Sequence, residues 1–184
     1  MMQAAEARRI LAEAELIHSA EAVVAALDRL AAAIGAQLAD ACPLVLTVMG
    51  GAVVFAGQLL PRLQFPLECD YVHVSRYGSA TRGGELKWVR DAHLPVAGRS
   101  VLVLDDILDE GITLAAIKAR LLEQGAAAVY TAVLADKQIG RSKPLTADFV
   151  GLTLPDCYVF GCGMDVDGMW RNLPSIHALR PPAT

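Results

Sequence analysis

Residues 101–114 read VLVLDDILDEGITL, and this stretch decides the fold class of the chain. Its four leading apolar residues predict a strand over residues 101–106 that is buried on both faces of a sheet. The residues that follow, TLAAIKARLLEQ, predict a helix over 113–124 that is closed by Gly125. A buried strand that passes directly into a helix is typical of α/β folds with a mainly parallel sheet.

The acidic residues of this stretch, Asp105, Asp106, Asp109 and Glu110, come at the end of the predicted strand. Ligands of open α/β sheets bind beyond the carboxyl ends of the strands, and a helix N-terminus beside a glycine binds phosphate through free N–H groups. Carboxylates would repel that phosphate unless they face sugar hydroxyls, a proton to be moved or a divalent cation. The pattern therefore indicates a sugar phosphate. The structural alternative is that Asp109 caps the helix while its neighbours are solvated.

The rest of the chain continues the alternation of strands and helices. Residues 3–39 are alanine-rich with apolar residues at helical spacing, which predicts one or two amphipathic helices ending near Gly35 or Asp40. Further short apolar runs predict a helix at 52–60 and strands at 44–48, 67–74, 86–90, 127–135 and 147–154. We therefore predict an α/β fold in which helices flank a mainly parallel sheet, as a single domain over residues 1–184.

Composition and charge exclude several classes of protein. Hydrophobic residues make up 54% and charged residues 20% of the chain, which supports a large core and excludes wholesale disorder. Sixteen Lys and Arg against 20 Asp and Glu give a net charge of −4, without the basic balance of a sequence-independent nucleic-acid binder. The mean hydropathy of +0.41 and the uncharged residues 41–61 raise the question of a membrane span. Gly50 and Gly51 break that segment into two shorter elements, so we expect no membrane as a partner. From the charge balance we expect no nucleic acid as a partner either.

Residues 101–114 resemble the phosphoribosyl pyrophosphate signature of the type I phosphoribosyltransferases. That signature is a strand followed by paired acids, two residues, Asp, a small residue, Gly, any residue and Thr. From about residue 40 to 180 the chain is similar to the bacterial hypoxanthine-guanine enzymes of this family. The supporting matches are Gly50-Gly51, Arg76-Tyr77-Gly78, Ala135-Asp136-Lys137, residues 148–151, Val159-x-Gly161 with Asp165, and residues 170–174. The resemblance implies a helical extension over 1–40, a core over 41–154 and a small purine-binding hood over 155–184.

The resemblance also implies a reaction, in which a 6-oxopurine displaces pyrophosphate from 5-phosphoribosyl 1-pyrophosphate to give IMP or GMP in purine salvage. Asp109 would be the catalytic acid/base that faces the purine N7. Phosphoribosyl binding is implied for Asp105, Asp106, Glu110, Gly111, Ile112 and Thr113. Pyrophosphate binding is implied for Met49, Gly50, Arg76 and Arg171. Purine binding is implied for Lys137, Tyr158, Val159 and Asp165.

Magnesium is the implied cofactor, with Asp165, Asp105 and Asp106 as its ligands. The family further implies a homodimer or homotetramer, for which the apolar helix 52–60 and the N-terminal helices could supply an interface. We expect the enzyme to lie in the cytoplasm. A cis peptide bond is expected between Val48 and Met49, in the loop that would hold pyrophosphate.

Four residues depart from the family pattern: Met49 stands in place of a lysine, Arg76 of a serine, Glu110 of a serine or threonine, and Ile112 of a polar or basic residue. We hypothesise that Arg76 replaces part of the positive charge lost at Met49, and that the Glu110 side chain turns outward from the phosphate. The same departures are compatible with a nucleotide-sensing regulator on this fold. A xanthine or pyrimidine enzyme is a third reading, which differs mainly in its contacts to the base.

Overall fold

The fold is built on a six-stranded sheet in the order β4-β3-β2-β5-β6-β7, parallel throughout except for the antiparallel edge strand β4. The computed structural model describes residues 2–76 and 86–180. The strands of the sheet are β2 (Leu44–Met49), β3 (Glu68–Arg76), β4 (Leu86–Arg90), β5 (Ser100–Leu108), β6 (Ala128–Lys137) and β7 (Phe149–Leu154). The predicted α/β fold with a mainly parallel sheet is confirmed.

Helices cover both faces of the sheet, because its central strands are apolar on both sides. The helices are α1 (Ala4–Glu13), α2 (Ala20–Leu38), α3 (Ala52–Leu59) and α4 (Ile112–Glu123). Along β5, Leu102 and Leu104 face the core that lies under α2 and α3, whereas Val101 and Val103 face the core under α4. The alternation follows from the two-residue period of a strand. The central strands are thus packed on both faces, and the carboxyl ends of the parallel strands lie at one edge of the sheet.

The N-terminal extension contains a strand that its alanine-rich pattern does not predict. Strand β1 (Glu15–His18) lies between α1 and α2 and pairs antiparallel with β9 (Ile176–Ala178), which also pairs with β8 (Val159–Phe160). These three strands form a second small sheet. The expectation of helices alone over residues 3–39 was therefore incomplete, because backbone pairing with a distant segment overrides local helix propensity.

Strand β5 is longer than its apolar run. The strand was expected to end at residue 106, but its parallel pairing with β6 continues through Ile107↔Ala135 to Leu108↔Asp136. Asp105 and Asp106 consequently lie within the strand and are not its last residues. Only Asp109, Glu110 and Gly111 form the turn into α4.

The uncharged segment 41–61 forms β2 and α3, with the break at Gly50 and Gly51 as predicted. A different segment, Ala20–Ala41, is long and apolar enough to cross a membrane by length and composition, with a mean hydropathy of 1.5. In the fold this segment is mainly α2, which buries one face against the sheet. The buried residues of that face are Val23, Ala26, Leu27, Leu30, Ile34 and Leu38.

Candidate active site

Two adjoining clefts, each of about 280 Å³, lie at the carboxyl ends of β2, β5 and β6. The acidic cleft lies over the end of β5, and its predicted residues are Met49, Asp105, Asp106, Asp109, Glu110, Gly111, Thr113 and Arg171. The hood cleft lies under residues 155–180, and its predicted residues are Asp106, Asp109, Lys137, Tyr158, Val159, Asp165 and Arg171. Asp106, Asp109 and Arg171 line both clefts, so the two form one continuous site.

Two of the predicted site residues that the structure describes line neither cleft, and a third, Arg76, cannot be placed relative to them. Gly50 is absent from both linings, and the Ile112 side chain is 44% exposed at the start of α4. Arg76 ends β3, but its side chain lies outside the described part of the chain, as does all of Tyr77. The proposed compensation of Met49 by Arg76 therefore stays a prediction.

Asp105 and Asp106 form a closely coupled pair of buried carboxyl groups. Burial, followed by the neighbouring Asp106 carboxylate, raises the pKa of Asp105 well above its usual range. Burial also raises the pKa of Asp106, although a hydrogen bond from Asp105 and the charge of Arg171 oppose that rise. Burial and the proximity of the two carboxyl groups thus favour one proton shared by the pair over two separate charges. Such a pair can both donate and accept hydrogen bonds, as binding to vicinal hydroxyls requires.

Two glycines bring the loop after β2 into contact with β5 and with the hood. A Cβ atom on Gly51 would lie 2.8 Å from Asp106 Oδ1 and closer still to the rest of that carboxylate. A Cβ atom on Gly163 would lie 3.0 Å from the carbonyl carbon of Gly51 and would overlap its oxygen. Gly163 also has a φ of +105°, which other residues rarely adopt. The backbones at Gly51 and Gly163 are thus in direct contact, and Gly51 lines the acidic cleft.

The turn from β5 into α4 is shaped to present N–H groups to a ligand. Gly111 has a φ of +79° and precedes the first residue of α4, where main-chain N–H groups have no partner within the helix. The Glu110 carboxylate accepts a hydrogen bond from Arg141 Nη2 at 2.6 Å. Its side chain is therefore held against Arg141 and is only 20% exposed. That this side chain turns away from a bound phosphate stays a prediction.

Asp109 and Lys137 bring opposite charges together between the two clefts. Lys137 ends β6, and its Nζ lies 3.5 Å from Asp109 Oδ1. The Lys137 side chain is only 13% exposed, whereas the Asp109 side chain is half exposed. A surface lysine would be far more exposed than this. The pair therefore offers an ammonium donor next to a carboxylate acceptor at the mouth of the hood cleft.

The hood holds a network around Asp165. Arg171 Nη2 lies 2.5 Å from Asp165 Oδ1, while Arg171 Nη1 donates to the Gly163 carbonyl at 2.5 Å. The Tyr158 hydroxyl donates to the main-chain carbonyl of Asp165 at 3.0 Å, and the tyrosine is 53% exposed. The burial of Tyr158, together with Asp165 and Asp167, raises the pKa of its hydroxyl. The ring is thus fixed by its hydroxyl and leaves an aromatic surface open for stacking.

Sequence reasoning did not identify Lys143, Arg141 or Gly163 as parts of this region. No spacing or charge pattern singled out the two basic residues, because they lie in an ordinary polar connection between β6 and β7. Gly163 carried a weak signal as the second glycine of Gly161-x-Gly163. The cis peptide bond of the loop lies between Met49 and Gly50, one bond later than expected.

The site combines carboxylates at the end of a parallel sheet, a glycine turn at a helix N-terminus and a Lys–Asp pair that shares a cleft with a tyrosine. These are the groups that a phosphorylated sugar and a flat base require. The chain belongs to the phosphoribosyl transferase domain family, which matches residues 13–168. This finding confirms the resemblance drawn from the sequence. The class of enzyme is a phosphoribosyltransferase.

Individual relatives show which phosphoribosyltransferases the chain is similar to. The chain is 34% identical to a hypoxanthine-guanine phosphoribosyltransferase of Bacillus subtilis over 91% of this chain and 93% of that protein. A solved hypoxanthine-guanine phosphoribosyltransferase of Bacillus anthracis superposes with a TM-score of 0.84 at 30% identity, covering 90% of this chain and 98% of that one. A solved hypoxanthine-guanine-xanthine phosphoribosyltransferase gives a TM-score of 0.81 at 30% identity, covering 91% and 97%.

Proposed function

We propose that the chain transfers the phosphoribosyl group of 5-phosphoribosyl 1-pyrophosphate to hypoxanthine or guanine, giving IMP or GMP and pyrophosphate in purine salvage. The observation that carries this proposal is the Lys137–Asp109 pair beside the open ring of Tyr158. A 6-oxopurine presents an oxygen at C6 next to N7 on one edge. The Lys137 ammonium would donate to that oxygen, and the Asp109 carboxylate would accept the proton from N7.

The proposed roles account for the bond that forms, the bond that breaks and the proton that is released. N9 of the purine forms a bond to the anomeric carbon, the bond to pyrophosphate breaks with its electron pair, and the N7 proton passes to Asp109. Arg171, which the Gly163 carbonyl and Asp165 hold in place, would stabilise the departing negative charge. The Asp105–Asp106 pair would hold the ribose hydroxyls, and the turn at Gly111 and Thr113 would hold the 5′-phosphate.

Magnesium fits this set of donors as the cofactor we propose. Mg²⁺ usually keeps several waters and takes one or two protein carboxylates together with substrate phosphates. Asp106 and Asp165 line the same cleft, with Asp105 beside them. Within residues 2–76 and 86–180, no group of three or more His, Cys, Asp or Glu side chains converges on one point, so the substrate would complete the coordination. When bound, the ion would neutralise charge on the pyrophosphate.

The purified protein should form product from 5-phosphoribosyl 1-pyrophosphate and Mg²⁺ with hypoxanthine and with guanine, tested beside xanthine and adenine. Adenine carries an amino group at C6, which would meet the Lys137 ammonium donor to donor. We therefore expect kcat/KM for adenine to be at least about 100-fold lower, as for other sites whose buried polar group is left unpaired. Failure to form a nucleotide from any base would contradict the proposal.

A nucleotide-sensing regulator is the second candidate, since the loop after β2 carries Met49 in place of the family's lysine. In that case the protein would bind IMP or GMP in equilibrium measurements and yet form no product under the same conditions. Retention of Asp109, Lys137, Asp165 and Arg171 in the clefts favours the enzyme.

We further propose a cytoplasmic homodimer or homotetramer. Val24 on α2 and Val53 on α3 are 42% and 45% exposed, which leaves apolar surface for contact between copies. Light scattering on the purified protein would give the oligomeric state. A monomer at micromolar concentration would contradict this part of the proposal.

A further inference from the structure

Lys143 lies in the connection between β6 and β7 and has no part in the reaction as proposed. Its side chain is only 11% exposed. Its ammonium group donates to the carbonyl of Leu108 at 2.6 Å, to the carbonyl of Lys137 at 2.6 Å and to Asp136 Oδ1 at 2.5 Å. An ammonium group has three donors, so all of them are used inside the fold. Lys143 is therefore not available to bind a ligand directly.

The three acceptors lie where β5 and β6 separate. Parallel pairing of these strands ends at Leu108↔Asp136. Beyond that point β5 turns through Asp109 into α4, whereas β6 continues through Lys137 into the connection to β7. The Lys143 ammonium thus joins the carbonyl group before Asp109 to the carbonyl group of Lys137 just beyond the last paired residues of β5 and β6. Lys137 itself still pairs with Leu154 of β7. Hydrogen bonds from a charged donor are roughly twice as strong as neutral ones.

The same residue supports the turn that precedes α4. A Cβ atom on Gly111 would lie 3.4 Å from Lys143 Cβ and 3.5 Å from Pro144 Cδ. The connection therefore packs directly behind Gly111, on the side away from the acidic cleft. Through Lys143 it contacts both halves of the site, namely the turn that carries Asp109 and the strand end that carries Lys137.

We propose that Lys143 is a positioning residue, which sets the separation of Asp109 and Lys137 and so fixes the geometry in which the pair receives the purine. The proposal rests on the proposed transferase function. Without this clamp, meaning the three hydrogen bonds of Lys143, β7 still holds Lys137, but the connection no longer ties the turn at Asp109 to the end of β6. A misplacement of about 1 Å far from the chemistry can cost about 100-fold in rate. The effect should fall on the purine, because Lys143 joins the two residues that would contact it.

Lys143→Met removes the three donors and retains the Cβ that contacts Gly111, whereas Lys143→Arg retains a charged donor. Lys118→Met is the matched control, since Lys118 is 30% exposed on α4 and lies 3.6 Å from Asp148, outside both clefts. We expect Lys143→Met to raise KM for hypoxanthine about tenfold with KM for phosphoribosyl pyrophosphate changed less than twofold. Lys143→Arg should recover most of that loss, and Lys118→Met should match the wild type.

Hydrogen exchange gives a readout that does not depend on turnover. Amides of residues 105–113 and 134–141 should exchange faster in Lys143→Met than in the wild type or Lys118→Met. Should Lys143→Met fail to fold, Lys143→Gln, which retains an amide donor, would replace it in the measurements of KM and of hydrogen exchange. Unchanged KM for hypoxanthine in an active enzyme, equal rises of both KM values, or unchanged exchange would each overturn the proposal. An inactive wild type would instead overturn the proposed function, while the exchange comparison would still test the clamp.

Discussion

Gly163→Ala tests the contact between the hood and the loop after β2. The new Cβ would lie 3.0 Å from the Gly51 carbonyl carbon and would overlap the attached oxygen. Both partners are backbone, so no rotation of a side chain relieves the collision, and the two segments must separate by about 1 Å, a displacement that can cost about 100-fold in rate. The φ of +105° adds roughly 1–3 kcal/mol of backbone strain. Gly51 belongs to the loop between β2 and α3, which is the loop proposed to hold pyrophosphate.

Gly98→Ala is the matched control for this substitution. Gly98 also has a positive φ of +74°, but a Cβ there would meet no atom within 4 Å. We expect Gly98→Ala to lower the free energy of unfolding by about 1–2 kcal/mol and to leave steady-state kinetics unchanged. Gly163→Ala should lose at least as much stability in urea titrations and raise KM for phosphoribosyl pyrophosphate at least about tenfold. Equal losses of stability and equal KM values for the two variants would contradict this effect of the Gly51–Gly163 contact.

Two further substitutions follow from single groups. Arg141→Met removes one partner of the Glu110 carboxylate, which lines the acidic cleft beside the proposed phosphate turn. KM for phosphoribosyl pyrophosphate should therefore rise about fivefold, equivalent to roughly 1 kcal/mol for an ion pair whose arginine is exposed. Adding Glu110→Thr should restore KM, and a failure to do so would contradict this cause. Burial raises the pKa of Cys162 to about 11, so its neutral thiol stabilises the fold below the unfolded pKa and this contribution is lost as the pH rises towards 11. Between about pH 8 and 11, the free energy of unfolding in urea should therefore fall about 2 kcal/mol more for the wild type than for Cys162→Ala; equal losses would contradict the burial.

The sheet and its helices could be predicted because the spacing of apolar residues within each segment indicates which of its faces are buried. Strands such as β2 and β5 are apolar on both faces, and α4 has helical periodicity and ends at a glycine. The acidic residues at the end of β5 could be placed for the same reason, since the end of a buried strand is where ligands bind. Asp109 and Lys137 then meet because β5 and β6 are neighbours in the sheet.

The features that could not be predicted depend on contacts between segments that are distant in the sequence. Strand β1 exists because β9 pairs with it, and nothing in residues 15–18 alone indicates a strand. Strand β5 runs to Leu108, two residues past its predicted end at Asp106, because its pairing with β6 continues. Lys143 resembles a solvated lysine, and its burial follows only from the return of the connection over the end of β5.

The central claim is that Asp109 takes the proton of the purine, and Asp109→Asn tests it most directly. Asparagine keeps the size of the side chain but cannot accept a proton. We expect kcat for IMP formation to fall about 10²- to 10⁴-fold, while IMP still binds in equilibrium measurements and Asp156→Asn, an exposed hood substitution outside both clefts, retains wild-type activity. A kcat for Asp109→Asn within threefold of the wild type would contradict the account.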